Sequence, residues 1–134
     1  MRIAVIGTGY VGLVAAVGFA ERGNFVCGVD RDAETVRRLN EGLCHFYEPG
    51  LQEPMQRNIE AGTLWFTTDI RAAALHGMVI VLAVGTPPSL DGSADVSWVT
   101  AAAEEVGQYI DGYRVFVTKS TVPSGTSLMI RSRL

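Results

Sequence analysis

The chain has 134 residues, of which 48% are hydrophobic and 19% charged, and its formal net charge is −3. This length predicts one domain over residues 1–134, and the apolar content is typical of an α/β fold whose parallel strands are buried on both faces. A pI near 5.3 gives no electrostatic basis for binding nucleic acid or an anionic membrane.

The first predicted strand, residues 2–7, runs into a glycine-rich turn with the spacing Gly7-x-Gly9-x-x-Gly12, and a helix is predicted over residues 10–22. Gly7 suits a tight strand-to-helix turn, Gly9 lets the backbone approach a pyrophosphate, and Gly12 lets the helix pack close to the strand. Free N–H groups at the helix start, together with the helix dipole, favour a doubly charged pyrophosphate. Such a spacing alone is weak evidence, because ordinary tight turns also contain it.

A second predicted strand, residues 25–30, supplies the supporting observation. It ends on Asp30, eighteen residues after Gly12. A carboxylate at this place can accept hydrogen bonds from an adenosine ribose diol, and it repels a 2′-phosphate. Arg31 points the other way, toward NADP, because a cation beside the ribose could pair with that phosphate. The pattern favours NAD over NADP.

The N-terminal apolar run and the two cysteines both bear on the cellular compartment of the protein. Residues 3–20 carry no charge, as in a signal peptide or membrane segment, but glycine recurs through the run and no small-residue cleavage site follows it. A buried helix packed on a sheet explains the run better. Cys27 and Cys44 lack metal-ligand spacing, which predicts reduced thiols, no bound metal and a cytoplasmic location.

Strand and helix patterns alternate along the rest of the chain. Asp69 and Asp95 are predicted N-caps of helices, and Ser124 is a predicted cap of a final helix. Trp65 and Trp98 are predicted to pack against neighbouring elements rather than to stack on a ligand. Apolar runs predict strands at residues 63–67, 78–84 and 114–119, and the other segments predict helices near 33–41, 50–61, 70–75 and 96–110.

Right-handed βαβ crossovers arrange these strands as a Rossmann-type, doubly wound parallel sheet with the order 3-2-1-4-5. The order reverses between strands one and four, so a ligand is expected at their carboxyl ends. Three segments converge there: the glycine turn, residues 84–88 after strand four, and residues 119–123 after strand five. This convergence is stronger evidence for a dinucleotide site than any one segment.

Taken together, these segments resemble the NAD-binding domain of the UDP-glucose/GDP-mannose dehydrogenase family. The matching pieces are IAVIGTGYVGL, GVDRD, LNEGLCHFYEPGL, AVGTPPSLDGSADVSWV and VTKSTVPSGT. The proline pair of VGTPP and the KSTVP segment resemble the UDP-glucose branch. The resemblance implies a two-step oxidation of a sugar-nucleotide C6 hydroxyl to a carboxylate with the reduction of two NAD, UDP-glucose giving UDP-glucuronate. GDP-mannose and UDP-N-acetylhexosamine are alternative substrates with the same chemistry.

The resemblance also assigns roles to residues. Asp30 would hold the adenosine ribose. The family often places a basic residue where Thr35 stands, so either Arg31 substitutes for it or that contact is missing. Thr121 would lie near the nicotinamide and position a water, although threonines at strand ends often only bond nearby backbone. The implied cofactor-binding set is Gly7, Gly9, Tyr10, Val11, Gly12, Asp30, Arg31, Thr35, Val84, Gly85, Thr86, Pro87, Ser120 and Thr121.

The family's catalytic cysteine, lysine and aspartate lie in later domains, as do most contacts to the sugar nucleotide. The resemblance therefore implies a fragment that binds NAD, takes a UDP-sugar only through absent domains and does not turn it over alone. It also implies a homodimer for the full-length protein. The alternative from another class is a non-catalytic dinucleotide-sensing module that kept the fold.

Overall fold

A computed structural model describes all residues from 1 to 134 and contains one sheet of five parallel strands in the order β3-β2-β1-β4-β5. This is the predicted order. The strands are β1 (Arg2–Ile6), β2 (Phe25–Val29), β3 (Leu64–Thr67), β4 (Val79–Leu82) and β5 (Val115–Thr118). The helices are α1 (Tyr10–Glu21), α2 (Ala33–Asn40), α3 (Gln52–Glu60), α4 (Ile70–His76), α5 (Ser97–Gly107) and α6 (Thr126–Arg133).

The central strand β1 shows why the sheet carries helices on both faces. Ile3 and Val5 belong to one hydrophobic core, whereas Ala4 and Ile6 belong to the other. Because successive side chains of a strand point to opposite faces, an unbroken apolar strand needs two covered faces. Helices α1, α2 and α3 cover the first core, and α4, α5 and α6 cover the second. Burying each large aliphatic side chain there contributes about 1.5–3 kcal/mol.

The helix starts follow the predicted caps in part. Asp69 caps α4, since its carboxylate accepts hydrogen bonds from two backbone N–H groups of the first turn at 2.9 and 3.2 Å. Asp95 is not the cap of α5, because the cap position belongs to Val96. The Asp95 carboxylate instead accepts from the N–H of Ser97 at 2.9 Å, in a turn that leads into the helix.

The prediction that Ser124 caps the final helix is wrong. The cap of α6 is Gly125, whose φ of +91° lies in the left-handed region that favours glycine. The hydroxyl of Thr126 bonds back to the carbonyl of Pro123 at 2.7 Å, and so closes the turn in place of a serine cap.

The reversal of strand order places a crevice at the carboxyl ends of β1 and β4. From β1 the chain crosses through α1 to β2, and from β4 it crosses through α5 to β5, so the two connections leave in opposite directions. Their loops separate at that point and leave room for a ligand. None of the helices combines the length and the apolar character needed to cross a bilayer.

Candidate functional site

The glycine turn after β1 is closed to side chains at two positions and open at the third. A Cβ at Gly7, where φ is +102°, would lie 2.7 Å from the carbonyl oxygen of Ala83. A Cβ at Gly12 would lie 1.9 Å from the carbonyl oxygen of Gly7. A Cβ at Gly9 would meet no atom within 4 Å. Gly7 and Gly12 therefore serve the packing of the turn, while Gly9 borders open space where a ligand can approach the backbone.

The start of α1 presents unpaired backbone donors. Gly9 provides no side-chain cap, and the first bond of the helical type runs from the N–H of Leu13 to the carbonyl of Gly9 at 2.9 Å. The N–H groups of Tyr10, Val11 and Gly12 therefore have no helical acceptor. Together with the positive end of the helix dipole, they suit an anion such as a phosphate group.

Asp30 is held beside this turn by two hydrogen bonds. The buried hydroxyl of Thr8 donates to Asp30 Oδ2 at 2.5 Å, and the N–H of Asp32 donates to Oδ1 at 2.9 Å. The hydrogen bond from Thr8 thus connects Asp30, the acid that follows β2, to the glycine turn that follows β1. Thr8 was not among the residues predicted from the sequence. The parallel pairing of Ile6 with Val29 could have indicated it, because the residues that follow these two strand ends lie close together.

A cleft of about 460 Å³ opens at this edge of the sheet. Its walls are the residues that follow the first four strands and one face of α5. Its volume lies within the range of small-molecule sites. The lining residues are Ile6, Gly7, Thr8, Gly9, Val29, Asp30, Arg31, Thr68, Ile70, Ala83, Val84, Gly85, Trp98, Ala101, Ala102 and Glu105.

Six predicted site residues share the wall of this cleft, and the others lie outside it. The six are Gly7, Gly9, Asp30, Arg31, Val84 and Gly85. Those outside the wall are Tyr10, Val11, Gly12, Thr35, Thr86, Pro87, Ser120 and Thr121.

The outlying residues have contacts of their own. The hydroxyl of Tyr10 donates to Glu48 at 2.8 Å, and this bond is the main reason that the pKa of Tyr10 is raised. Thr35 donates to Asp32 Oδ2 at 2.7 Å in the first turn of α2. Thr121 is exposed at the start of the loop that follows β5.

Ser120 ties two loops of the site together. Its hydroxyl donates to the carbonyl of Val84 at 2.6 Å, and its N–H donates to the carbonyl of Leu82 at 3.2 Å. These bonds hold the segment after β5 against the segment after β4. The convergence of those two segments, expected from the strand order, therefore has a direct physical cause.

The face of α5 is the part of the cleft that sequence reasoning missed. Trp98, Ala101 and Glu105 recur at helical spacing, so they share one face of α5. Trp98 is 59% exposed, and its ring lies beside Gly85, where a Cβ would be 3.6 Å from the indole. Trp98 therefore packs beside Gly85 and also lines the cleft, and that it only packs, without stacking on a ligand, stays a prediction. The packing prediction is confirmed for Trp65, whose ring contacts His76 edge-on at 4.6 Å between centroids.

The family profile described as the NAD binding domain of the UDP-glucose/GDP-mannose dehydrogenase family matches residues 1–134. The chain belongs to this family. It is 47% identical to UDP-glucose 6-dehydrogenase TuaD of Bacillus subtilis over 98% of its own length. It spans only 28% of that relative, so it corresponds to less than a third of the enzyme. The resemblance seen in the sequence is confirmed, and NAD is the cofactor for which the matched domain is named.

Solved structures of the family share the fold. The UDP-glucose dehydrogenase of Pyrobaculum islandicum superposes with a TM-score of 0.92 at 41% identity, over 99% of this chain and 33% of that one. A GDP-mannose dehydrogenase of Pseudomonas aeruginosa, solved as a ternary complex, gives a TM-score of 0.92 at 34% identity, over 97% of this chain and 30% of that one. The Rossmann-type architecture is therefore that of sugar-nucleotide dehydrogenases.

Proposed function

We propose that the cleft holds NAD, with the pyrophosphate at the glycine turn and the adenosine ribose at Asp30. The observation that carries this proposal is the 2.5 Å hydrogen bond from Thr8 to Asp30, which fixes the acid beside the turn. The free amides at the start of α1 suit the phosphates, and the carboxylate suits the ribose diol. These two groups of a dinucleotide are neighbours, so one ligand satisfies both parts of the site.

The open space at Gly9 supports the fit of this group, because the backbone there meets no protein atom that would exclude it. Tyr10, Val11 and Gly12 would contribute through their backbone amides, which explains why their side chains need not line the cleft. Thr35 would contribute only indirectly, since its hydroxyl already bonds to Asp32.

The other end of the cofactor would follow the segments after β4 and β5. Val84 and Gly85 line the cleft, and Ser120 anchors the neighbouring loop to the carbonyl of Val84. Thr86, Pro87 and Thr121 would then lie around the nicotinamide. The exposed hydroxyl of Thr121 is free to donate and accept at once, so it would position a water without acting as a strong base.

We propose further that the chain is the cofactor-binding part of a UDP-glucose 6-dehydrogenase. Its identity is 47% to a UDP-glucose 6-dehydrogenase and 36% to a GDP-mannose 6-dehydrogenase of Pseudomonas aeruginosa. Residues 1–134 would hold the NAD that supplies the hydride-accepting chemistry, and two NAD would be reduced for each C6 hydroxyl oxidised to a carboxylate. The sugar-nucleotide pocket and the nucleophile would lie in the part of the enzyme that this chain does not cover, so residues 1–134 would bind NAD without turnover.

The parent protein would act as a homodimer in the cytoplasm, where free thiols such as those of Cys27 and Cys44 persist.

Calorimetric titration of the 134-residue chain with NAD and with NADP tests the placement of the cofactor. We expect tighter binding of NAD, because a 2′-phosphate would face the Asp30 carboxylate. Quenching of Trp98 fluorescence gives a second readout, which Trp98→Phe should abolish and Trp65→Phe should keep. Failure to bind NAD, or a fluorescence change that depends on Trp65 alone, would contradict the proposed site.

The substrate is tested in the natural protein that contains this chain. We expect NADH formation with UDP-glucose and little with GDP-mannose or UDP-N-acetylhexosamines. A reversed order of activities would move the protein to another branch of the family. NAD binding without turnover of any sugar nucleotide would favour the non-catalytic sensing module.

A further inference from the structure

An ion pair crosses the adenosine end of the cleft. Arg31 follows Asp30 at the end of β2, and its guanidinium Nη2 lies 3.5 Å from Glu105 Oε2 on α5. Both residues line the cleft. Their side chains are 86% and 43% exposed, so water reaches the pair while it stands beside the proposed ribose site.

The charges that line the cleft give this pair a consequence. Asp30, Arg31 and Glu105 are the charged residues of its wall. With Glu105 the wall has two acids and one base, and so one net negative charge. Without Glu105 the charges of Asp30 and Arg31 would cancel. An arginine next to the ribose is the group with which proteins bind the 2′-phosphate of NADP. Glu105 partly neutralises the charge of that arginine across an ion-pair distance of 3.5 Å.

We propose that Glu105 is a specificity-determining residue that disfavours NADP by pairing with Arg31. The inference rests on the proposed function, in which the adenosine ribose lies at Asp30. Asp30 would discriminate directly, through its own carboxylate. Glu105 would act on the neighbouring cation, which is otherwise available to a 2′-phosphate.

The size of the effect follows from the geometry. The pair is exposed and its contact distance is long, so its contribution is that of a surface ion pair. Such pairs correspond to about a two- to fivefold change in an equilibrium constant. The effect should also decrease as salt is added, because exposed charges are screened.

Dissociation constants of NAD and NADP for Glu105→Gln, measured by calorimetry at low ionic strength, test the proposal. We expect the preference for NAD to fall about two- to fivefold, mainly through tighter NADP binding. The matched control is Glu104→Gln on the same helix, since Glu104 pairs with Arg133 at 2.9 Å and does not line the cleft. An unchanged preference in Glu105→Gln, or an equal change in Glu104→Gln, would overturn the inference.

Repeating Glu105→Gln in an Arg31→Ala background tests the route of the effect. If Glu105 acts through Arg31, the change in preference should disappear there; a change of the same size would refute the pairing. Absence of NAD binding by the unsubstituted chain would overturn the proposed function and this inference with it. Normal NAD binding with an unchanged preference in Glu105→Gln would overturn this inference alone.

Discussion

At the scale of single residues, Asp30 shows how a carboxylate is oriented before any ligand arrives. Thr8 and the N–H of Asp32 each occupy one of its oxygens. A side chain held in this way has already lost the rotamer freedom that binding would otherwise remove. The remaining lone pairs of the carboxylate can accept from a ribose diol.

Replacing Asp30 with alanine should weaken NAD binding by about 1–3 kcal/mol, the cost of losing charge-assisted hydrogen bonds. The matched control is Asp32→Ala. Asp32 caps α2, so its loss should lower the free energy of unfolding by about 1 kcal/mol and leave the NAD dissociation constant nearly unchanged. Calorimetry and urea denaturation measure the two quantities. An unaltered dissociation constant in Asp30→Ala would remove Asp30 from the site.

Cys27 and Cys44 should differ in reactivity, because burial raises the pKa of the Cys27 thiol to about 12 while Cys44 is only half-buried. A thiol reagent should therefore label Cys44 first in the folded chain, and Cys44→Ser should leave only a slow reaction. The folded pKa of Cys27 lies above its unfolded value of about 9.0, so its contribution to stability is full below pH 9 and is lost as the pH rises toward 12. Equal labelling rates for the two thiols would contradict this prediction.

At the scale of elements, the unit of β1, turn and α1 separates two uses of glycine. Gly12 lets the helix approach the preceding strand, and Gly9 leaves its outer side open. A side chain added at Gly12 should therefore disturb folding, whereas one added at Gly9 should disturb ligand binding. The same unit places the amides of α1 beside Asp30, which follows the neighbouring strand β2.

Gly12→Ala should lower the free energy of unfolding by about 1–3 kcal/mol or more, because its Cβ would lie 1.9 Å from a carbonyl oxygen that cannot easily move. Gly9→Ala should keep nearly normal stability, since φ there is −67° and the added methyl meets no protein atom. It should instead weaken NAD binding, because the methyl occupies the space where the pyrophosphate approaches the backbone. Denaturation midpoints and NAD titrations distinguish these outcomes, and undiminished NAD binding by Gly9→Ala would argue against a ligand at this turn.

At the scale of the whole molecule, the cleft is built from segments far apart in the chain. The residues after β1, β2, β3 and β4 meet at one sheet edge, and α5 closes the side. A ligand bound there contacts both halves of the doubly wound sheet. Its binding energy is therefore coupled to the unfolding of the entire domain.

NAD should raise the thermal midpoint of the 134-residue chain. At a concentration 100 times the dissociation constant, a ligand that binds only the folded state stabilises it by about 2.7 kcal/mol. For a domain of this size, that corresponds to a rise of roughly 5–10 °C. NADP at the same concentration should produce a smaller rise, and Asp30→Ala should lose about 1–2.4 kcal/mol of the stabilisation by NAD. A midpoint that does not depend on NAD would contradict binding at this cleft.

The predictions that succeeded from sequence depend on local patterns. The strand order follows from apolar runs, helical segments and the fixed hand of βαβ crossovers, and these can be recognised in continuous stretches of chain. The glycine spacing and Asp30 each sit at the end of a predicted strand, so the parallel sheet brings them to the same edge. Family membership was evident for the same reason, because its motifs are short and continuous.

Only the tertiary structure decided which residues join them. Thr8 reaches Asp30 because β1 and β2 pair, and the face of α5 that carries Trp98 and Glu105 lines the cleft beside the strand ends. Arg31 and Glu105 meet across 74 positions of sequence, a contact that no local pattern encodes. Local periodicity determines which side of a helix is apolar, whereas the packing of whole elements determines what each polar residue faces.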